Sequence, residues 1–140
     1  MPQFAVYKNR NETTRGRFPL LLDVQSDLLE SLNTRVVVPL SLAATARTRA
    51  MQSLTPNLSV AGKEYIMMTP QLAGIAERDL GPIVDSVASE RAKIIGALDL
   101  LIATIALVHD AEVVTFDGDF QAVARTCKLR VKLLQRSKNT

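Results

Sequence analysis

The chain has 140 residues, a mass of 15.3 kDa and 47% hydrophobic residues, which fits one folded domain of ordinary size with a small appendage. With 6 Gly, 6 Pro and 22% charged residues, collagen-like, coiled-coil and disordered classes are excluded. A net charge of +3 is too small to diagnose nucleic-acid binding by the whole chain. One cysteine, Cys127, and one histidine form neither an internal disulfide nor a structural zinc site, which favours a reducing compartment.

The first residues alternate between apolar and polar types and soon become polar, which is not typical of a secretory signal. A cytoplasmic location is therefore expected. The longest apolar run, Ile94 to Val108, is interrupted by Asp99. It falls short of the roughly 20 residues that a membrane-spanning helix needs. We therefore expect a buried helix and no membrane contact.

The first half of the chain has the pattern of an antiparallel β-sheet. Strands are predicted for Phe4–Tyr7, for Phe18–Val24 and for the β-branched run Arg35–Leu40. The segment between the last two strands, Gln25–Thr34, presents the apolar pair Leu28 and Leu29, which either caps the core or forms a binding patch. Two apolar runs around a Gly-Lys turn predict a hairpin within Asn57–Met68.

The second half changes to a helical pattern. Apolar residues recur at three- and four-residue intervals after Gly81-Pro82, which predicts one long helix over Pro82–Val108. A strand over 111–116, a helix over 120–127 and a strand over 129–134 then predict a parallel βαβ unit. The fold class is therefore α+β: a small barrel-like antiparallel sheet, a long helix and a short βαβ extension. The domains are placed at 1–109 and 110–140, with 136–140 as a frayed end.

A resemblance to a known family rests on three stretches. Asp23-Val24-Gln25-Ser26-Asp27 followed by the leucine pair, then Val36–Leu40, then Tyr65–Thr69, resemble the CcdB family of type II toxin–antitoxin toxins in order and spacing over about residues 3–105. The resemblance implies a homodimer that binds the A subunit of DNA gyrase and traps its cleaved DNA complex, touching DNA only through gyrase. It also implies a CcdA-like antitoxin as partner, no cofactor and no enzymatic activity of its own.

The same resemblance implies a gyrase-binding surface on this chain. In the family, an apolar pair in the loop after the second strand acts together with a Trp-Gly-Ile ending of the terminal helix. The matching residues here are Leu28, Leu29, Asp99, Ile102, Ala103, Thr104 and Ile105. Ala103 stands where the family has tryptophan, Thr104 stands where it has a small residue, and the chain continues beyond Ile105.

The tail resembles the last third of a PIN-domain ribonuclease from about residue 96 to 135. That resemblance implies that Asp99, Asp117 and Asp119 help to hold magnesium or manganese, because hard divalent cations take oxygen ligands. The alternative functions are therefore a metal-dependent ribonuclease toxin, or a fusion that retains only antitoxin binding. Asp117 and Asp119, on either side of Gly118, also suit ordinary turn and helix-cap chemistry.

The end of the chain is basic. Beyond the short helix it carries Arg125, Lys128, Arg130, Lys132, Arg136 and Lys138 and no acidic residue. This pattern fits contact with nucleic acid or an acidic partner, or simply a solvated face on an edge strand. A two-stranded βαβ fragment does not cover both its faces, so residues 110–135 are expected to dock on the β half or on another subunit, or to be weakly ordered. The burial of Val113, Val114, Phe116 and Leu133 decides between these outcomes.

Overall fold

The computed structural model describes residues 2–42 and 49–135. The chain divides into two compact units, Met1–Ala97 and Leu98–Thr140, called here the N-terminal and C-terminal units. The predicted domain boundary after residue 109 falls inside the second unit and stays a prediction. The predicted frayed end at 136–140, with Arg136 and Lys138, lies outside the described residues.

The N-terminal unit is built on a seven-stranded antiparallel sheet that curls into a half-barrel. Its strands are β1 (Ala5–Asn9), β2 (Leu20–Asp23), β3 (Thr34–Leu42), β4 (Asn57–Val60), β5 (Lys63–Met67), β6 (Ala73–Ala76) and β7 (Leu80–Ser86). The order is β4-β5-β3-β2-β1-β7, with β6 paired to β3. A short helix, α1 (Arg49–Leu54), precedes β4. The predicted α+β class, the antiparallel sheet and its first strands are confirmed.

Strand β3 continues through Pro39 to Leu42, whereas the sequence pattern predicts that the proline ends the strand. Pro39 lacks an N–H group. Its carbonyl oxygen accepts a hydrogen bond from the Met68 amide at 2.9 Å. Because the nitrogen and the carbonyl of one strand residue point to the same side, the missing N–H would also point to the side of Met68. On that side β3 pairs with β6 up to Val37 and with β5 from Leu40 onward. The proline therefore occupies the gap between two partner strands, where no ladder hydrogen bond is lost.

The predicted start of the long helix at Pro82 is wrong. Helix α2 spans Arg91–Val108, and the preceding residues form strand β7, in which Ile83 pairs with Tyr7 of β1. Ile83 is apolar but 58% exposed, so its place in the helical periodicity is accidental. Gly81 lies against β1: a Cβ there would meet the Lys8 carbonyl oxygen at 2.6 Å, so glycine permits this close approach of the two strands.

The hairpin of β4 and β5 is confirmed, but it turns at Ala61-Gly62 rather than at Gly62-Lys63, since Lys63 already pairs with Val60. Both turn residues have positive φ, 48° and 79°. This two-residue turn suits the right-handed twist of the strands, and Gly62 adopts it without steric cost. The main apolar core lies on one face of the sheet. Its fully buried side chains include Val6, Leu22, Val38, Leu40, Leu58, Val60, Met67 and Ile94.

The open edge of β4 is closed by side chains rather than by another strand. The Asp85 carboxylate accepts a hydrogen bond from the Ala61 amide at 2.8 Å, and Glu90 accepts one from the Ser59 amide at 3.3 Å. Lys93 donates to the Asn57 carbonyl oxygen at 3.0 Å. These bonds satisfy backbone groups that would otherwise offer an edge for strand addition.

This edge predicts an acid-dependent change in stability. Hydrogen bonds from the Ala61 and Ser86 amides hold the pKa of the Asp85 carboxyl below its ordinary value. Because the folded pKa is the lower one, ionised Asp85 stabilises the fold above its unfolded pKa of about 4, and this stabilisation is lost as the pH falls through the folded pKa. We expect Asp85→Asn to lower the Tm at neutral pH and to match the wild type at the most acid pH where both fold.

The measurement is calorimetric unfolding of both proteins between pH 7 and pH 3. Glu64→Gln, which neutralises an exposed carboxylate elsewhere on the hairpin, is the matched control. A Tm difference between Asp85→Asn and the wild type that stays constant across this range would contradict the prediction.

The C-terminal unit contains the end of α2 and the predicted parallel βαβ unit, which is confirmed. Strand β8 (Glu112–Thr115), helix α3 (Asp119–Thr126) and strand β9 (Arg130–Leu133) follow one another, and β8 pairs with β9 in parallel. A second apolar cluster joins these elements to α2: Ala103, Ala106, Val113, Phe120 and Leu129. Val113 is thus buried, whereas Val114, Phe116 and Leu133 are exposed.

Candidate functional site

The turn between β2 and β3 displays the leucine pair and is held by hydrogen bonds with several side chains. Residues Asp27–Leu29 form one turn of 3-10 helix, capped by the Ser26 side chain, which accepts a hydrogen bond from the Leu28 amide. The Asp27 carboxylate accepts a hydrogen bond from the Gln3 amide at 2.8 Å. Leu28 is 93% exposed and Leu29 48% exposed. Of the two readings of this pair, a core cap is wrong, and both side chains are available to a partner.

A buried polar network holds the base of this turn. Arg35 donates from Nε and Nη2 to Asp23 Oδ2 at 2.8 and 2.7 Å, and the Gln25 amide donates to the other oxygen at 3.0 Å. The Gln25 side chain in turn donates to the Leu29 carbonyl oxygen and accepts from the Val36 amide. Burial raises the pKa of the Asp23 carboxyl, while the hydrogen bonds from Arg35 and Gln25 act in the opposite direction. The motif residues Asp23 and Gln25 thus fix the turn on which Leu28 stands.

Sequence reasoning missed a third apolar side chain on this turn. Leu32 is 47% exposed, and its amide donates to the Leu29 carbonyl oxygen at 3.1 Å. Its spacing of three residues from Leu29 is the signal that could have identified it. Leu28, Leu29 and Leu32 are called here the leucine turn.

The predicted residues of α2 do not share one environment. Ile102, Thr104 and Ile105 are exposed, and the Thr104 hydroxyl donates to the Leu100 carbonyl oxygen one turn earlier. Ala103 is only 1% exposed, because it packs in the cluster with Phe120 and Leu129. This corrects the expected contact surface: the side chain in the place of the family's tryptophan serves the packing of the C-terminal unit.

The three predicted metal ligands do not assemble a metal site. Partial burial raises the pKa of the Asp99 carboxyl, and the charges of Asp117 and Asp119 raise it further. Asp117 Oδ1 is engaged at the start of α3, where it accepts a hydrogen bond from the Asp119 amide at 2.9 Å. Across residues 2–42 and 49–135, no group of three acidic, histidine or cysteine side chains has a geometry that holds a metal ion. This bond fits the turn reading of Asp117, whereas the N-cap residue of α3 is Gly118 and makes no side-chain cap hydrogen bond. The magnesium or manganese alternative stays a prediction.

A groove of about 500 Å³ opens in the N-terminal unit, and the sequence gives no sign of it. Leu21, Val37 and Pro39 line it together with Arg10 and Asp79. These residues come from separate stretches of the chain, and only the pairing of the strands brings them together. In the described part of the chain, no helix is long and apolar enough to cross a membrane.

Comparison with known proteins gives two matches to this chain, one to a solved structure and one to a family model. Among solved structures, a mycobacterial endoribonuclease in complex with its cognate antitoxin matches with a TM-score of 0.52 and 17% identity, over 73% of this chain and 95% of that chain. At this identity the likeness shows a shared fold. The family model of the CcdB protein matches residues 3–104, which contain the whole N-terminal unit apart from its first two residues and most of α2. The chain therefore belongs to the CcdB family, a family of toxin–antitoxin toxins.

Proposed function

We propose that this toxin acts by binding the A subunit of DNA gyrase and trapping its cleaved DNA complex, which blocks replication in the cytoplasm. The proposed contact residues are those of the leucine turn in the N-terminal unit and, in the C-terminal unit, the half-buried Asp99 and the exposed Ile102, Thr104 and Ile105 of α2. The toxin acts as a homodimer through its β half, and a CcdA-like antitoxin binds and removes it. Family membership and the predicted site residues that lie on the surface support this proposal.

One observation carries the proposal: a leucine that is 93% exposed on an ordered turn. A large apolar side chain held in water is energetically unfavourable, and burying a leucine against a partner contributes about 1.5–3 kcal/mol. Hydrogen bonds to Ser26, Gln25 and Asp27 fix the turn before any partner arrives. Such preorganisation reduces the entropy lost on binding. The turn is therefore built to present Leu28 to another molecule.

The test is a plasmid cleavage assay with purified gyrase and ATP. We expect the full chain to accumulate linear, gyrase-linked DNA, and Leu28→Ala to require a roughly tenfold higher concentration for the same effect. Ile83→Ala, which shortens an apolar side chain that is 58% exposed on β7, is the control and should match the wild type.

If the full chain traps no cleaved DNA while a known gyrase poison does, gyrase is not the target. If Leu28→Ala and Ile83→Ala are equally active, the leucine turn is not part of the contact. Binding of an antitoxin peptide, measured on the same proteins, separates loss of the target contact from loss of the fold.

A further inference from the structure

The parallel sheet of the C-terminal unit has one covered face and one open face. Val113 of β8 points into the cluster with Phe120 of α3 and with Ala103 and Ala106 of α2. Side chains alternate between the two faces of a strand, so Val114 points the other way and is 56% exposed. Phe116, which follows the strand on the same side, is 59% exposed. Parallel sheets normally have both faces covered, so this open face lacks a partner in the monomer.

The register of β8 and β9 shows which side chains share the open face. Partners in a parallel pair point to the same side, and Glu112 pairs with Arg130 while Val114 pairs with Lys132. The Leu134 amide donates to the Thr115 carbonyl oxygen, which extends this register to the level of Phe116. The open face therefore consists of Glu112, Val114, Phe116, Arg130, Lys132 and Leu134.

Charge is divided between the two strands of this face. The acidic Glu112 lies on β8 and the basic Arg130 and Lys132 lie on β9, with apolar side chains at the far end. Arg130 also forms an ion pair with Asp110 at 3.2 Å. The acidic neighbours make the face a poor fit for nucleic acid, which is bound by an excess of cations. A face with opposite charges on its two sides is instead complementary to its own copy.

We propose that this open face binds the same face of a second copy of the chain, around a two-fold axis parallel to the strands. A half-turn about that axis keeps the direction of the strands and exchanges the left and right positions of β8 and β9. As a result, β8 of one copy lies over β9 of the other. Glu112 then meets Arg130 of the second copy, and Phe116 meets Leu134 of the second copy. Each contact occurs twice, as in any isologous interface.

The size of the face sets the strength of this contact. Six side chains per copy are far fewer than the roughly 20–30 residues that each partner contributes to a stable interface. The association is therefore weak and depends strongly on concentration. It is separate from the dimer proposed for the β half, so it adds mass to whatever species that half forms.

The test uses charge reversal on each side of the contact in the full-length chain. Glu112→Lys and Arg130→Glu each place like charges opposite one another in both copies of the contact. In an equimolar mixture, a pair made of one of each variant restores both opposite-charge contacts. We expect sedimentation velocity to show the wild-type mass rising with concentration, each variant needing an approximately tenfold higher concentration, and the mixture recovering most of the wild-type behaviour.

Further variants keep the test decisive. Phe116→Asp should abolish the rise in mass, whereas Glu64→Lys, the same charge reversal on an exposed residue of β5, should leave it unchanged. Circular dichroism of every variant shows whether the fold is retained. A wild-type mass independent of concentration, or a mixture that associates no better than its components, would overturn the proposal. So would a Phe116→Asp variant that loses binding to a single-stranded oligonucleotide while self-association persists.

Discussion

Replacing Arg35 by alanine is expected to lower the free energy of unfolding of the N-terminal unit by about 3–5 kcal/mol. The guanidinium is 1% exposed and the Asp23 carboxylate 0% exposed, so the substitution leaves a buried charge without its main partner. Asp23 then regains some stability only by taking up a proton or by admitting water. The measurement is chemical unfolding at neutral pH, and Lys8→Ala, which removes an exposed cation from the neighbouring strand β1, is the control.

A double substitution separates the cost of the unpaired charge from the value of the pair. Replacing Asp23 by leucine and Arg35 by methionine removes both charges, and buried ion pairs replaced by apolar residues often cost little or nothing. Because Gln25 loses its Asp23 acceptor in that protein, some destabilisation remains. We expect the double variant to be more stable than Arg35→Ala alone. An Arg35→Ala protein within about 1 kcal/mol of the wild type would show that the pair does not hold this part of the sheet.

The sequence identifies Asp23 and Arg35 as members of a motif and a strand, but it does not show that they meet. Their contact depends on the register of β2 and β3, in which Asp23 pairs with Val37 and Arg35 lies two residues further along the same face. Register is fixed by the turn and by the buried apolar face together, and neither is visible in a local pattern. The motif could therefore be recognised, while its structural role could not.

The strongest sequence signals were apolar periodicity and short turns, and they predicted most strands and the βαβ unit. They failed at β7, because Ile83 and Val84 lie four and three residues before Val87, a helical interval, although the backbone pairs with β1. They also gave no indication of β6, whose four residues, Ala73–Ala76, are mostly small. Pairing with β3 gives this short segment its strand conformation, which is a tertiary effect that overrides local preference.

The candidate site was predicted in part for a similar reason. Leu28 was identified through the family resemblance, because the local sequence left a core cap and a binding patch both open; its exposure follows from its place on a tight 3-10 turn. The environment of Ala103 depends on Phe120 and Leu129, which follow it by many residues and fold back onto α2. A resemblance confined to the first 105 residues contains no information about this packing.

Introducing the family's aromatic residue at this position is therefore expected to damage the protein rather than to restore a contact. Ala103→Trp places an indole in a cluster where the alanine is 1% exposed and its neighbours Ala106, Phe120 and Leu129 are buried. Overpacking by a few methylene groups already costs about 1–3 kcal/mol, and an indole is larger. We expect the C-terminal unit to be destabilised by about 3 kcal/mol or more, with β8, α3 and β9 losing their packing against α2.

The chain contains no tryptophan, so the introduced side chain is a unique fluorescent probe of its own surroundings. Thr104→Trp is the matched control, since Thr104 is exposed one position further along the helix and a surface substitution there costs within about 0.5 kcal/mol. We expect Thr104→Trp to unfold like the wild type, and Ala103→Trp to unfold at lower denaturant with loss of the α3 signal in hydrogen exchange. A gain in gyrase trapping by Ala103→Trp without loss of stability would contradict this expectation. It would mean that the side chain at position 103 can contact the target without disrupting the packing of the C-terminal unit.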